Sequence, residues 1–304
     1  MAAPLKDQLF NAEKVRHLAG LFSAATADFD ADMFQSIVML RLPELELKAR
    51  MSHIAGSLAQ VLPGDLPQVA PVIRAALPPS LDPTLGDDDF GDFIYAPLGE
   101  WVADTGIRDH PELALDLIED ITQRFSMEWA IRPFLNRWPD LVLDRMRRWT
   151  EHPSYHVRRL VSEGTRPRLP WGEGIGLGLS DPLPLLDRLH GDRARFVTRS
   201  VANHLNDISK KEPDLVLDRL EDWAGRGKQS GDELAWITRH ALRGLVKAGH
   251  TGALARLGYD QDAPIQVDLA LAPEPVRIGD ALEITAYLSA PRETPVLVDY
   301  VLHF

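Results

Sequence analysis

The chain has 304 residues, of which 45% are hydrophobic and 26% are charged, and its formal net charge is −12. This composition is typical of a globular protein with one large domain or two moderate ones. The chain contains no cysteine, which excludes disulfides, iron–sulfur clusters and thiolate chemistry. Neither a long apolar run nor a signal-peptide pattern is present, so we predict a cytoplasmic bacterial protein with no membrane partner. We also expect no metal and no cofactor.

The first 80 residues are predicted to be helical. Met51, Ile54 and Leu58 show the apolar spacing of one face of a helix. Residues 79–97 contain several prolines and glycines and an acidic run, and they are predicted to form an exposed connection. Helices are predicted to resume by Trp101.

From this point to about residue 258, the sequence repeats with a period close to 40 residues. Three similar segments, 156–161, 196–201 and 236–241, each have an arginine at the fourth position. These arginines are Arg159, Arg199 and Arg239. A period of about forty residues is the length of a two-helix repeat in HEAT solenoids. We therefore predict that the three arginines lie on one face of stacked helical hairpins.

The helix before each of these segments repeats as well. Asp-Leu-Val-Leu-Asp-Arg occurs at 140–145 and again at 214–219, with a degenerate copy at 184–189. Pro139 and Pro213 precede the two identical copies, and proline favours the first turn of a helix over any later turn. The predicted fold class is therefore all-α, a HEAT-like solenoid over residues 1–260.

Polar residues recur along the second helices at helical spacing. On the middle one, Val197 and Val201 are predicted to lie opposite a polar stripe. That stripe consists of Arg199, Asn203, Asp207 and Lys210. The equivalent columns are Arg159–Glu163–Arg166, Arg239–Arg243–Lys247 and, one repeat earlier, Arg124–Glu128–Arg132. A solenoid would align these columns on its concave surface, although similar pairs also occur on ordinary solvated helices.

Charge is distributed unevenly along the chain. Residues 121–260 contain 23 basic and 18 acidic side chains, whereas residues 1–120 contain 8 and 20, and 261–304 contain 2 and 7. A basic repeat block in an otherwise acidic protein indicates a surface for a polyanion. The alternative is a solvated helical array whose arginines have no common ligand.

One loop beside the polar stripe is unusual. Residues 164–178 contain Arg166, Arg168 and Trp171 among five glycines and two prolines. The glycine spacing matches neither a phosphate-binding loop nor a dinucleotide fingerprint. Two interpretations of Trp171 stay open, because it can pack against the helices or stack on a sugar or base.

The periodicity changes at Pro264. Apolar residues alternate over 265–271, over 282–288 and at 296–298, which predicts β-strands. We predict that residues 261–304 are the amino-terminal part of an immunoglobulin-like β domain, a fold that needs about seven strands and about 100 residues. We therefore expect a truncated chain or a short gene model, and the alternative is a small three-stranded appendage.

Three segments, 124–134, 156–171 and 199–210, closely resemble signatures of the AlkC branch of DNA alkylation-repair glycosylases, which is related to AlkD. The resemblance covers essentially the whole chain, including 45–50 and the start of the β domain. It implies HEAT-like repeats around duplex DNA and a monofunctional glycosylase for cationic methylated bases, chiefly 3-methyladenine and 3-methylcytosine.

The resemblance also implies that Glu128, Glu163 and Asp207 are active-site acids and that Trp171 lies close to the lesion. A cationic N3-alkylated base is already a good leaving group, so the barrier lies in the oxocarbenium ion that develops on the deoxyribose. A carboxylate can stabilise that ion and orient the attacking water.

The predicted partner is double-stranded DNA containing alkylated bases, bound by a monomer. Besides Trp171, the residues predicted to bind it are Arg159, Arg166, Arg168, Arg199, Asn203, Lys210, Arg239 and Arg243. The alternative function is a noncatalytic HEAT-repeat scaffold for DNA or protein. A DNA scaffold would favour lysine or glutamine at Glu163 and Asp207, so the carboxylates favour the enzyme.

Overall fold

The computed structural model describes residues 4–87, 90–170, 172–272, 275–277, 279–299 and 301. This part of the chain is mostly helical (59%), as predicted, and carries a small two-stranded sheet. Its helices are α1 (Leu5–Leu9), α2 (Ala12–Ala25), α3 (Ala31–Arg41), α4 (Leu47–Val61), α5 (Leu66–Ala76), α6 (Ala96–Gly106), α7 (Pro111–Thr122), α8 (Arg132–Arg137), α9 (Pro139–Trp149), α10 (Tyr155–Gly164), α11 (Leu183–Leu189), α12 (Arg195–Ser209), α13 (Pro213–Arg226), α14 (Gly231–Lys247) and α15 (Thr251–Arg256). Its strands are β1 (Gln266–Ala272) and β2 (Glu283–Ser289).

Polar side chains mark where the amino-terminal helices begin. Asn11, Asp30 and Asp65 precede α2, α3 and α5, and each side chain accepts a hydrogen bond from a backbone N–H of the first turn. Arg50 of α4 is buried and donates to Asp7 and to two backbone carbonyl oxygens of the α1 region. This arginine therefore fastens the start of the chain to α4.

The predicted connection between 79 and 97 ends earlier than expected. Residues Phe93–Tyr95 form a 3-10 helix that leads directly into α6, and Ile94 is fully buried. The ring of Phe93 packs on Phe125 with a centroid distance of 4.6 Å. The apolar residues that follow the acidic run are therefore part of the core, because they cover the turn after α7.

The repeated segments form stacked helical hairpins. The hairpins are α9 with α10, α11 with α12, and α13 with α14, and α12 packs between α10 and α14. Pro139 and Pro213 are the first residues of α9 and α13, as their positions predicted.

Contacts between hairpins explain why the first helices repeat in sequence. Trp149 of α9 donates its indole N–H to Glu119 of α7 at 2.5 Å, and Trp223 of α13 donates to Asp187 of α11 at 2.8 Å. The arginine of each repeated hexapeptide, at positions 145 and 219, pairs with an aspartate of the preceding first helix. The repeated residues thus make the same kind of polar contact between one hairpin and the next.

The prediction that Arg124, Glu128 and Arg132 lie on one face of a single helix is wrong. Helix α7 ends at Thr122 and α8 begins at Arg132, with turns between them. Pro133 lies in the first turn of α8, and proline cannot continue a helix from the preceding turns. Glu128 consequently lies on a turn.

The carboxyl-terminal region contains one antiparallel pair, with Gln266 opposite Ser289 and Ala272 opposite Glu283. Val296 and Val298 belong to no strand in the described part of the chain, so the third strand was predicted wrongly. Leu269 is 63% exposed, so the described residues provide no apolar layer that covers the pair. Alternation of apolar residues specifies strands but not the number of partners, and an immunoglobulin-like domain is not confirmed.

Candidate active site

Glu163 lies at the end of a helix that is buried along its whole length. All ten residues of α10 are buried between α9 and α12. The carboxylate accepts hydrogen bonds from Ser200 Oγ at 2.6 Å and from Arg166 Nη1 at 2.5 Å. Arg159 Nη2 lies 3.6 Å from the same carboxylate.

Two opposing effects set the pKa of Glu163. Burial raises it, but the guanidinium groups of Arg159 and Arg166 and the hydrogen bond from Ser200 outweigh burial and hold the pKa below its usual value. Glu163 is therefore a charged carboxylate at neutral pH despite its burial.

Asp207 is joined to Glu163 through one arginine. Arg166 donates from Nε and Nη2 to Asp207 Oδ2, at 2.9 and 2.8 Å, while its Nη1 binds Glu163. Lys210 Nζ donates to Asp207 Oδ1 at 3.0 Å. Burial lowers the pKa of Arg166, but the two carboxylates outweigh burial and raise it overall, so the bridge stays charged.

Glu128 joins the same network from the turn between α7 and α8. Its Oε2 accepts hydrogen bonds from Ser126 Oγ at 2.8 Å and from Arg159 Nη1 at 2.9 Å. Among the described residues nothing donates to its Oε1, whereas both oxygens of Glu163 and of Asp207 accept hydrogen bonds.

The structure therefore brings the three predicted acids together. Arg159 connects Glu128 to Glu163, and Arg166 connects Glu163 to Asp207. We call the three acids and these two arginines the carboxylate network. A carboxylate held between guanidinium groups keeps its charge and its position away from bulk water.

Arg159 has partners that the sequence did not indicate. Only 8% of the residue is exposed, and its guanidinium lies 4.4 Å from the ring centroid of Phe196 and 5.7 Å from that of Phe90. The phosphate contact predicted for Arg159 therefore competes with two carboxylates and two aromatic rings. We assign it to holding Glu128 and Glu163 in place.

Sequence reasoning missed the residues that fasten the loop after α10. Arg132 is buried and donates to the carbonyl oxygens of Gly164, Arg166 and Glu173. Asn136 donates to Gly174 O at 2.9 Å and accepts from the N–H of Gly176. The sequence had placed Arg132 only in a polar helical column that does not exist in the structure, and no feature of the sequence indicated Asn136.

A basic basin opens beside Asp207. Its volume is about 550 Å³, and the loop and the ends of α12 and α14 line it. Its cationic side chains are Arg132, Arg166, Arg168, Lys210 and Arg243. Arg168 and Lys210 are exposed, so they are available to an anionic ligand.

The remaining predicted DNA-binding residues lie along α12 and α14. Arg199 donates to both oxygens of Asp87, at 2.7 and 2.6 Å. Asn203 accepts from Arg243 at 2.9 Å, and Arg239 is exposed. Trp171 lies outside the described residues.

Buried histidines in the repeats predict a loss of stability in mild acid. Burial and the nearby Arg166 lower the pKa of His204 from 6.5 to about 4, and burial and Lys228 do the same for His190. Unfolded imidazoles titrate near 6.5, so stability present above that pH is lost as the pH falls towards 4. A fully buried histidine should cost about 2 kcal/mol by about pH 5.

Denaturant unfolding at pH 7.5 and pH 5 measures this effect, and His204→Gln should reduce the difference between the two. Equal unfolding free energies of the wild-type protein at both values would contradict the expectation.

No protein-family model matches the chain. The uncharacterized protein YhaZ of Bacillus subtilis (strain 168) is 34% identical over 307 residues, covering 99% of this chain and 82% of YhaZ. The alkylpurine DNA glycosylase AlkC of Pseudomonas fluorescens, solved bound to DNA containing an abasic site analog, is 33% identical. That structure matches 95% of this chain and 78% of its own, with a TM-score of 0.82.

AlkD2 from Streptococcus mutans aligns with 76% of this chain at 19% identity and a TM-score of 0.35, too low to establish a shared fold. Helical hairpins around a buried carboxylate network, with the fold of AlkC, define a helical-repeat protein of the DNA glycosylase class. The chain belongs to the AlkC family of alkylpurine DNA glycosylases.

None of the helices in the described ranges is long and apolar enough to cross a membrane.

Proposed function

We propose that this protein is a monofunctional DNA glycosylase that hydrolyses the N-glycosidic bond of cationic N3-alkylated bases, 3-methyladenine and 3-methylcytosine, in duplex DNA. The observation that carries the proposal is the carboxylate network beside the basic basin. The similarity to AlkC, whose solved complex contains DNA with an abasic site analog, supports it.

The chemistry follows from the charge of the lesion. When the bond between C1′ and the base breaks, its electron pair goes to the base, which leaves neutral, and the positive charge moves to the deoxyribose. Water then adds to C1′ and loses a proton, which leaves an abasic site. A carboxylate near C1′ stabilises the developing cation and accepts that proton.

The three acids have different roles in this mechanism. Glu128 has an oxygen, Oε1, with no hydrogen bond from the described residues, so it is the acid best placed to face the sugar or the attacking water. Both oxygens of Glu163 and both oxygens of Asp207 accept hydrogen bonds, so these two acids contribute fixed negative charge. A negative charge about 4 Å from the cation contributes roughly 4 kcal/mol of gross attraction at an effective dielectric of about 20.

DNA binding would use the exposed cations of the basin and of α14. Arg168, Lys210 and Arg239 are exposed and are assigned to phosphates. Trp171 stays a predicted lesion-proximal residue. Arg199 contacts Asp87, so a DNA phosphate at Arg199 must displace that carboxylate.

A phosphate and Asp87 compete for Arg199, so substitutions of Arg199 and of Asp87 should change DNA affinity in opposite directions. We expect Arg199→Ala to weaken duplex binding and to lower the salt dependence by about one unit. Asp87→Asn should instead strengthen binding, since it removes one carboxylate that competes with the phosphate for Arg199. Titration of labelled undamaged duplex at several salt concentrations measures both, and unchanged affinity and salt slope in Arg199→Ala would contradict the assignment.

The test of the proposed function is release of methylated bases from alkylated genomic DNA, separated by chromatography. We expect 3-methyladenine and 3-methylcytosine to be released, and neutral lesions to be poor substrates because their bases are worse leaving groups. A noncatalytic scaffold would bind the DNA and release neither base, which would overturn the proposal.

A further inference from the structure

A second cavity, which we call the apolar cavity, lies next to the carboxylate network. It has a volume of about 270 Å³ and is lined by residues of α4, of α6 and of the turn before α8. Ser126 lines it and also donates to Glu128. Gly172 and Glu173 line both this cavity and the basic basin, so the loop forms a wall that the two share.

The walls of the apolar cavity are aromatic and sulfur-containing. Phe93 and Trp129 stand 5.7 Å apart between ring centroids, and Met51 and Met127 complete the apolar surface. Aromatic rings and methionine provide a polarisable surface for a flat ring system. Binding sites for small molecules are usually about 300–1,000 Å³, so this cavity suits a ligand near the lower limit, such as a single base.

Two carboxyl groups lie on one wall of the cavity, one helical turn apart on α6. They belong to Glu100, which accepts a hydrogen bond from Ser52, and to Asp104, which is more exposed. Burial raises the pKa of each group above its usual value.

We propose that the apolar cavity binds the free methylated base after it has left the deoxyribose. The ligand class is a flat heterocycle that has an amino group beside a basic ring nitrogen. Such an edge pairs with a carboxyl group through two hydrogen bonds, while Phe93 and Trp129 contact the ring. The proposal rests on the proposed function, since it names where the leaving base is held.

The charges of the two cavities separate the two products. The apolar cavity is lined by three carboxyl groups and one cation, Lys48, so its net charge disfavours a phosphate, whereas the cations of the basin favour one. The base has lost its connection to the DNA backbone once the bond breaks. It is therefore the product that can move past Ser126 into the apolar cavity, while the abasic strand stays at the basin.

Binding of free 3-methyladenine to the full chain without DNA, followed by isothermal titration calorimetry, tests the assignment. We expect saturable binding that Glu100→Met weakens by at least tenfold, because methionine can make neither of the two hydrogen bonds to the amino edge of the base. Glu112→Met, at an exposed position of α7, is the matched control and should bind as the wild-type protein does. Adenosine monophosphate should bind more weakly than the free base.

The outcomes separate this inference from the proposed function. Base release from alkylated DNA, without saturable binding of 3-methyladenine at millimolar concentration, would overturn the cavity assignment alone. Equal affinity of wild type and Glu100→Met would also overturn it. Absence of base release would overturn the proposed function, and Glu100-dependent binding would then still support a cavity for this class of heterocycle.

Discussion

Replacing Glu128 by glutamine is expected to lower the single-turnover rate of 3-methyladenine excision by at least tenfold. The amide keeps the shape of the side chain and removes the negative charge beside Oε1, the oxygen left free by Ser126 and Arg159. A tenfold loss corresponds to about 1.4 kcal/mol of transition-state stabilisation, well within the attraction of one carboxylate for a developing cation. Asp207→Asn and Glu163→Gln should each cause a loss of the same order.

Duplex affinity distinguishes a loss of chemistry from a loss of binding. The carboxylates repel phosphates, so none of the three variants should bind undamaged DNA more weakly than the wild-type protein. Asp140→Asn, an exposed aspartate in the first turn of α9, is a matched control and should change neither rate nor affinity. Excision rates within twofold of wild type in all three active-site variants would contradict the carboxylate mechanism.

The order of the helices was accessible from sequence because local rules decide it. The period between Arg159 and Arg199 and the prolines that begin α9 and α13 follow from helix length and helix-start preferences. The identity of the three acids came from resemblance. Periodicity had also placed the three acids in polar columns, but for Glu128 that reasoning was wrong, because it does not lie on a helix in this fold.

The arginine contacts that join the three acids could not be predicted from the sequence, and the physical reason is a different one. Periodicity assigns a residue to a face of its own helix, but burial depends on chain segments that pack there from elsewhere. Arg159 is covered by Phe90, and Arg166 reaches Asp207, which is 41 residues away in sequence. The column Arg159–Glu163–Arg166 therefore contains two ion-paired arginines, of which Arg159 is buried, where the sequence suggested phosphate contacts.

Arg166→Met is expected to have the largest effect on stability. Arg166 is a positioning residue that donates to Glu163 and to Asp207, and both carboxylates are buried. Removing one partner of a buried ion pair typically costs about 3–5 kcal/mol, because an uncompensated charge stays buried. Denaturant unfolding at pH 7 measures the loss. Arg168→Met, an exposed position in the same loop, should stay within about 0.5 kcal/mol of wild type.

The pH dependence identifies the cause of that loss. Without Arg166, the pKa of Glu163 should rise, because burial then opposes the carboxylate with less compensation from guanidinium groups. The unfolding deficit of Arg166→Met should therefore shrink as the pH falls and Glu163 becomes protonated, while the wild-type protein loses stability over the same range. Adding Glu163→Gln to Arg166→Met should recover part of the deficit at pH 7, since it removes a buried charge. A deficit that is independent of pH and unchanged by Glu163→Gln would instead show that Arg166 acts through packing, and the electrostatic role of the bridge would be wrong.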